Sequence, residues 1–386
     1  MNQHQKHVNL ARPRLGHYAR NEWAILGTPC GEIKQLAFRL THLLSPRWRL
    51  AYLDADHRSA DAEKEEGQDP HAALTYGASM NVTDKINFWR FDFREAFNPY
   101  QVKALFNEVD VALINGNHFE GQRQIVVVDR RKPLEKKLHK LSNVDLIVLQ
   151  QGEEAIPTYL QAHLEGKEQP AVLHIQQTEA IAEHLRQRIE LPPVKGLVLA
   201  GGRSTRMKRD KGLIAYHGKA QREYAAELLR SLGLEEVFIS CREDQQAELA
   251  GSFPTIADSF MGLGPFGGIC SAFRQDPNAA WLVIACDLPF LSAQSLGYLL
   301  QHRNASRIAT TFQSPANEFP EPLITLWEPR SYPVLLHFLS MGYSCPRKVL
   351  INSRIELLQA PKARELTNVN EPDEYEAALR ALREKG

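Results

Sequence analysis

Short apolar, β-rich runs alternate along the chain with stretches of helical periodicity. That alternation predicts an α/β protein of two domains, each a mainly parallel sheet flanked by helices. In the first half strands are expected at Trp23–Leu26, Leu50–Leu53, Ile86–Phe91, Val111–Ile114, Ile125–Val128, Leu146–Leu149 and Ala171–Ile175, with helices over Ile33–Leu44 and about Thr178–Ile189. In the second half strands are expected at Gly196–Ala200, Val237–Ser240, Trp281–Cys286, Arg307–Phe312 and Leu323–Trp327. Between the halves Leu191, Pro192, Pro193, Val194 and Lys195 interrupt the pattern, because paired prolines cannot continue a helix and favour an extended connector. The expected division is therefore a domain over 1–190, a linker over 191–195 and a domain over 196–386. Asp61–Gly77, rich in Asp, Glu, Gly and Ala, reads as a solvated loop.

Composition supports this reading and narrows the partners. At 386 residues the chain exceeds one ordinary core. Lys+Arg and Asp+Glu both total 46, so no nucleic-acid partner is expected and any anion site must be local. The five cysteines, Cys30, Cys241, Cys270, Cys286 and Cys345, form no CxxC pair, which argues against zinc and against a disulfide framework and fits a reducing cytoplasm. Met1–Ala11 has no apolar signal core, and no run approaches the roughly 18 apolar residues of a membrane span, so no membrane association is expected.

The chemistry concentrates between Leu197 and Lys211, where a buried strand runs into Gly201 and Gly202 and then into a basic, hydroxyl-bearing loop. Glycines without Cβ atoms let the backbone turn sharply and set its N–H groups against phosphate oxygens. Arg203, Arg206, Arg209 and Lys211 surround that turn with positive charge, which suits a triphosphate that must be held and partly neutralised. A glycine turn with solvent-facing arginines is the plainer reading of such a loop taken alone. Asp287 follows an apolar strand and is expected at the carboxyl edge of a parallel sheet, where it reads equally as a magnesium ligand or as a helix N-cap.

The stretch from Leu199 through Met207, followed by Asp210 and Lys211, resembles the signature of the molybdenum cofactor guanylyltransferases, members of the nucleotidyltransferase superfamily with its Rossmann-like fold. Further segments in the same order carry the resemblance: Gly218–Lys219, Ala257–Ser259, Gly264–Ile269, Asp287–Phe290 and Asn368–Pro372. Together they span almost all of residues 195–386. The resemblance implies nucleotide contacts at Leu199, Ala200, Gly201, Gly202, Lys211, Asp258 and Asp287, with Asp258 accepting from guanine. It implies cofactor contacts at Arg206, Asn368 and Asn370, magnesium on Asp287, and catalytic roles for Asp287, Lys211 and Arg206. GTP and molybdopterin are the implied ligands, with molybdoenzymes or their chaperones as recipients. Lys208 stands where the family has glycine, Glu371 where it has threonine, and Ile239 where some relatives have a nucleotide-contacting Asn.

In the first half, Gly27 to Gln35 occupies the place of a phosphate loop but lacks its parts: Glu32 replaces the second glycine, Lys34 is displaced and Gln35 has no hydroxyl for magnesium. The layout resembles the P-loop GTP-binding accessory protein of molybdopterin guanine dinucleotide synthesis, with Asn115 where relatives place a carboxylate. A degenerate adaptor is the expectation. Asp54, Asp56, His57 and His118 are either a metal or substrate site at one sheet edge or polar strand ends.

The expected reaction is attack of the terminal phosphate of molybdopterin on the α-phosphorus of GTP, releasing pyrophosphate. Transfer from CTP or to a sugar phosphate, and a non-catalytic cofactor carrier or scaffold, are the alternatives.

Overall fold

The computed structural model describes residues 16–55, 72–201, 211–246 and 253–383. They fall into two compact units that meet in sequence between Glu190 and Leu191.

The first unit runs β1 (Asn21–Leu26), α1 (Cys30–Leu44), β2 (Leu50–Leu53), α2 (Ala72–Thr75), β3 (Met80–Asp84), β4 (Trp89–Phe93), α3 (Pro99–Leu105), β5 (Val111–Asn115), β6 (Arg123–Val128), β7 (Val144–Leu149), α4 (Thr158–Leu164), β8 (Ala171–His174) and α5 (Thr178–Gln187). Six strands form one sheet in the order β2-β5-β1-β6-β7-β8, every neighbouring pair parallel. β1 is buried along its whole length, which is why its sequence shows no polar alternation. α1 turns Ile33, Leu36, Ala37, Leu40 and Leu44 inward at helical spacing, and α5 adds Ile181, Ala182 and Leu185 to the same core.

One expected strand is wrong. Instead of a strand over Ile86–Phe91, β3 and β4 form a separate antiparallel hairpin, and Ile86 sits in its turn at φ +66°. The Asp84 carboxylate accepts the Ile86 N–H at 3.1 Å, the local bond that lets Asp end a strand. Met80, Val82, Trp89, Phe91 and Phe93 share the exposed face of the hairpin, so the period-two signal was real but spanned a turn. The end of the expected Asp61–Gly77 loop forms α2, where Ala72, Ala73 and Leu74 favour a helix.

The second unit runs β9 (Val194–Leu199), α6 (Gln221–Arg230), β10 (Val237–Cys241), β11 (Thr255–Ala257), α7 (Pro265–Gln275), β12 (Ala280–Ala285), α8 (Ala293–Gln301), β13 (Ala309–Gln313), β14 (Pro320–Trp327), α9 (Ser331–Ser340), α10 (Pro346–Ile351), β15 (Glu356–Leu358) and α11 (Pro372–Arg383). β9 begins at Val194, so the end of the proline connector is already strand. The sheet order is β11-β10-β9-β12-β14-β13-β15, parallel from β11 to β12, with β14 antiparallel to both its neighbours. Along β12, Ala280, Leu282 and Ile284 enter one core with α6 and α8, while Trp281 and Val283 enter another with α7, α9 and α10. Burial on both faces accounts for the uninterrupted apolar run before Asp287.

β9 pairs with β10 on one side and β12 on the other, so the chain reverses its winding direction at β9. In open α/β sheets, ligands bind beyond the carboxyl ends of the strands at such a reversal. Among the described residues no helix is long and apolar enough to cross a membrane.

Candidate active site at the carboxyl edge of the second sheet

The exit of β9 is fixed from both sides. The Ala200 N–H donates to the Ser240 carbonyl at 3.1 Å, and the Cys286 N–H donates to the Leu199 carbonyl at 3.3 Å. Gly201 then passes so near β10 that a Cβ there would lie 3.3 Å from the Arg242 nitrogen, and Arg242 Nη1 donates to the Gly201 carbonyl at 3.1 Å. Leu199, Ala200 and Gly201 are thus placed at the reversal point. Gly202 and Arg206, with Arg203, Lys208 and Arg209, lie outside the described residues. Lys211 opens a short 3-10 turn ending at Leu213.

The first turn of α7 explains the glycines of the Gly264–Ile269 segment. Gly264 takes φ +57°, a conformation that favours glycine, and Pro265 starts the helix with its φ already set. A Cβ on Gly267 would meet the Phe260 carbonyl at 2.3 Å, and one on Gly268 would meet Leu199 Cδ2 at 2.7 Å and Ser240 Oγ at 2.8 Å. Only glycine lets this helix lie directly against the ends of β9 and β10.

That approach also seats Asp258. Its N–H donates to the Cys241 carbonyl at 2.9 Å, and the buried Ser240 hydroxyl donates to Asp258 Oδ1 at 3.0 Å. Burial pushes the Asp258 carboxyl above its ordinary range, and the opposing pull of Ser240 and Arg242 does not cancel it. The residue is therefore a fixed acceptor in a partly dry setting, not a routine surface aspartate.

Asp287 lies in the turn after β12, on the other side of β9. It does not cap a helix: Ser292 does, its Oγ accepting the Ser295 N–H at 3.3 Å at the start of α8. Asp287 Oδ1 is buried, and the nearby phenol of Tyr216 is pushed above its ordinary range by burial and then by the charges of Tyr375 and Asp287. The Asp287 carbonyl accepts the Val369 N–H at 2.9 Å, which brings Asn368 and Asn370 to the same edge. Val369 packs with Tyr216 and Ala378, and the Glu374 carboxylate accepts the N–H groups of Asn370 and Glu371 at 2.6 and 3.1 Å. Glu371 therefore fits the turn through its backbone, whatever its side chain.

A hard carboxylate oxygen at a strand end suits magnesium, which takes one or two protein carboxylates together with substrate phosphates. Among the described residues no group of three or more His, Cys, Asp or Glu could hold a metal.

Three contributors escaped the sequence reading: Ser240, Arg242 and Tyr216. Ser240, a buried hydroxyl at the end of the otherwise apolar β10, was the readable signal.

In the first unit, the loop after β1 is tied to the loop after β6 by side chains of both. The Thr28 hydroxyl donates to Asp129 at 2.6 Å, and Arg131 spans Asp129 at 2.8 Å and Glu32 at 3.2 Å. Burial alone would raise the Asp129 carboxyl, yet Arg131 and Thr28 hold it below its ordinary range. Lys34 lies 5.7 Å from the Phe38 ring centre. Asp54 and His118 come to one edge, with the Asn115 amide donating to Asp54 at 2.7 Å. Asp56 and His57 lie outside the described residues.

Residues 196–382 match the family model of the MobA-like NTP transferase domain. A molybdenum cofactor biosynthesis bifunctional protein of Synechocystis sp. is 33% identical over 184 residues, 47% of this chain and 53% of that protein. A molybdenum cofactor guanylyltransferase of Xanthomonas euvesicatoria pv. vesicatoria is 44% identical over 115 residues, covering 29% of this chain and 57% of that protein. A molybdenum cofactor guanylyltransferase of Pseudomonas putida is 30% identical over 186 residues, covering 47% of this chain and 96% of that protein. The chain thus spans little more than half the length of the first two and nearly all of the third.

Proposed function

The chain belongs, through residues 196–382, to the family of MobA-like NTP transferases and molybdenum cofactor guanylyltransferases, and on that premise we propose that it transfers GMP from GTP to molybdopterin with release of pyrophosphate. One observation carries the reading: the Val369–Asp287 bond joins the Asn368–Asn370 segment to the strand-end carboxylate, while Leu199–Gly201 and Asp258 flank the same central strand. A site for two substrates needs its nucleotide and acceptor contacts on one edge in this way.

In this reading the backbone at Gly201 and Gly202, with Lys211, holds the triphosphate and stabilises charge on the departing pyrophosphate. Asp258, steadied by Ser240, accepts from guanine N1–H and N2–H₂. Arg206, Asn368 and Asn370 orient the acceptor so that its terminal phosphate oxygen lies in line with the α-phosphorus. Asp287 would hold magnesium, which would supply neutralisation of phosphate charge. No covalent enzyme intermediate is needed. The first unit acts as an adaptor for the cofactor: beside the loop after β1, Arg131 is paired with Glu32 and Asp129 of its own chain.

The test is pyrophosphate release from each of the four NTPs with molybdopterin as acceptor, repeated with sugar 1-phosphates. Release with GTP and molybdopterin supports the reading. Preference for CTP or a sugar phosphate, or tight pterin binding without release, overturns it.

A further inference from the structure

At the carboxyl edge of the first sheet, a cluster unrelated to phosphate binding surrounds one sulfur. Cys30 is the first residue of α1, and its Sγ lies 3.4 Å from His118 Nε2. The Asn117 amide donates to the same sulfur at 3.4 Å and to the Thr28 carbonyl at 3.2 Å. Behind it, Asn115 ties the Asn117 backbone, at 3.1 Å, to Asp54, at 2.7 Å, and the Asp54 carboxylate attracts His118. A nucleophile, a base within hydrogen-bond reach and a carboxylate acting on that base form the arrangement that activates a side chain for attack. Charge appearing on the sulfur as its proton leaves meets the Asn117 N–H and the amino end of a 15-residue helix.

We propose that Cys30 is a nucleophilic thiol that undergoes exchange with small disulfides, with His118 as its proton acceptor. The thiol proton passes to His118 Nε2, and the sulfur electron pair attacks one sulfur of the disulfide. The disulfide S–S bond breaks, and the departing thiolate recovers the proton from the imidazolium. One thiol and one disulfide are consumed; one thiol and one mixed disulfide are formed. Cys30 is half-buried, so part of the residue is reached by solvent.

The chain carries its own control. Cys241, Cys270 and Cys286 are buried, whereas Cys345 is more exposed than Cys30. Exposure alone therefore ranks Cys345 first, and the cluster ranks Cys30 first. The experiment treats the full chain with oxidised glutathione and follows mixed-disulfide formation at each cysteine by peptide mass spectrometry. Cys30 is expected to react at least about tenfold faster than Cys345, and His118→Ala to slow Cys30 by about tenfold or more while leaving Cys345 unchanged, a modest share of what general bases contribute. A wild-type Cys30 no faster than Cys345, or a Cys30 rate unmoved in a folded His118→Ala chain, overturns the proposal. The wild-type comparison needs no variant to fold, and neither arm depends on nucleotidyl transfer.

Discussion

The Val369 N–H donates to the Asp287 carbonyl at 2.9 Å, so the segment that carries Asn368 and Asn370 and the strand end that carries the carboxylate are held as one piece. Proline at 369 removes that donor. Val369→Pro is expected to lower turnover by at least about tenfold, the scale on which displaced catalytic groups are felt. Val369→Ala keeps the bond and loses only packing against Tyr216 and Ala378. Steady-state kinetics on both variants separate the two contributions, and equal rates would show that the bond positions nothing.

Gly268 tests the approach of α7 to the strands. In an open helix, Gly→Ala stabilises by about 1 kcal/mol. Here the new methyl would sit 2.7 Å from Leu199 Cδ2 and 2.8 Å from Ser240 Oγ, so Gly268→Ala is expected to destabilise, by about 1–3 kcal/mol. Denaturant unfolding reports the sign directly.

Ser240 steadies Asp258 through its hydroxyl, at 3.0 Å. A hydrogen bond to a charged group contributes roughly 1.5–3 kcal/mol, so Ser240→Ala is expected to reduce the preference for GTP over ATP by about tenfold. Competition between the two nucleotides measures it, and an unchanged ratio would remove Asp258 from base selection.

Acid should weaken the first unit through Asp145. This buried carboxyl accepts from the Trp23 indole at 2.7 Å and faces His184 at 3.3 Å and Arg188 at 3.1 Å. Burial alone would raise it, but His184, Trp23 and Arg188 hold it below its ordinary range. Its folded value is thus below the unfolded one, near about 4. The unfolded chain binds the proton first, so this contribution is complete above that pH and is lost as pH falls through the folded value. Tryptophan fluorescence during urea unfolding, with Trp281 and Trp327 replaced by Phe in both chains so that the signal comes from the first unit, should show Asp145→Asn less stable than its parent at pH 7, by about 1–3 kcal/mol, with a shallower loss of stability below pH 4. Parallel pH profiles would contradict the assignment.

Much of this architecture was legible because burial on both sheet faces leaves continuous apolar runs, as in β1, β9 and β12, with chemistry placed just after them. Asp287 was found that way, and the structure removes the cap reading by giving the cap of α8 to Ser292. Two kinds of feature were not legible. The β3–β4 turn is fixed by one local bond between Asp84 and Ile86, inside a stretch whose alternation reads as a single strand. Ser240, Arg242 and Tyr216 act through neighbours distant in sequence, and the Glu32–Arg131–Asp129 group depends on two residues that follow β6. Such contacts are set by strand order, which no local pattern encodes.

The central claim is nucleotidyl transfer at Asp287, and following two labels through one reaction tests it most directly. With magnesium, molybdopterin and GTP labelled at either the α- or the γ-phosphorus, the α label should enter the pterin product and the γ label should leave in pyrophosphate. Asp287→Ala should lower both by about 10²–10³, the usual loss for one preorganised stabiliser. A γ label recovered as free phosphate, or near-normal transfer of the α label by the folded variant, would contradict the account.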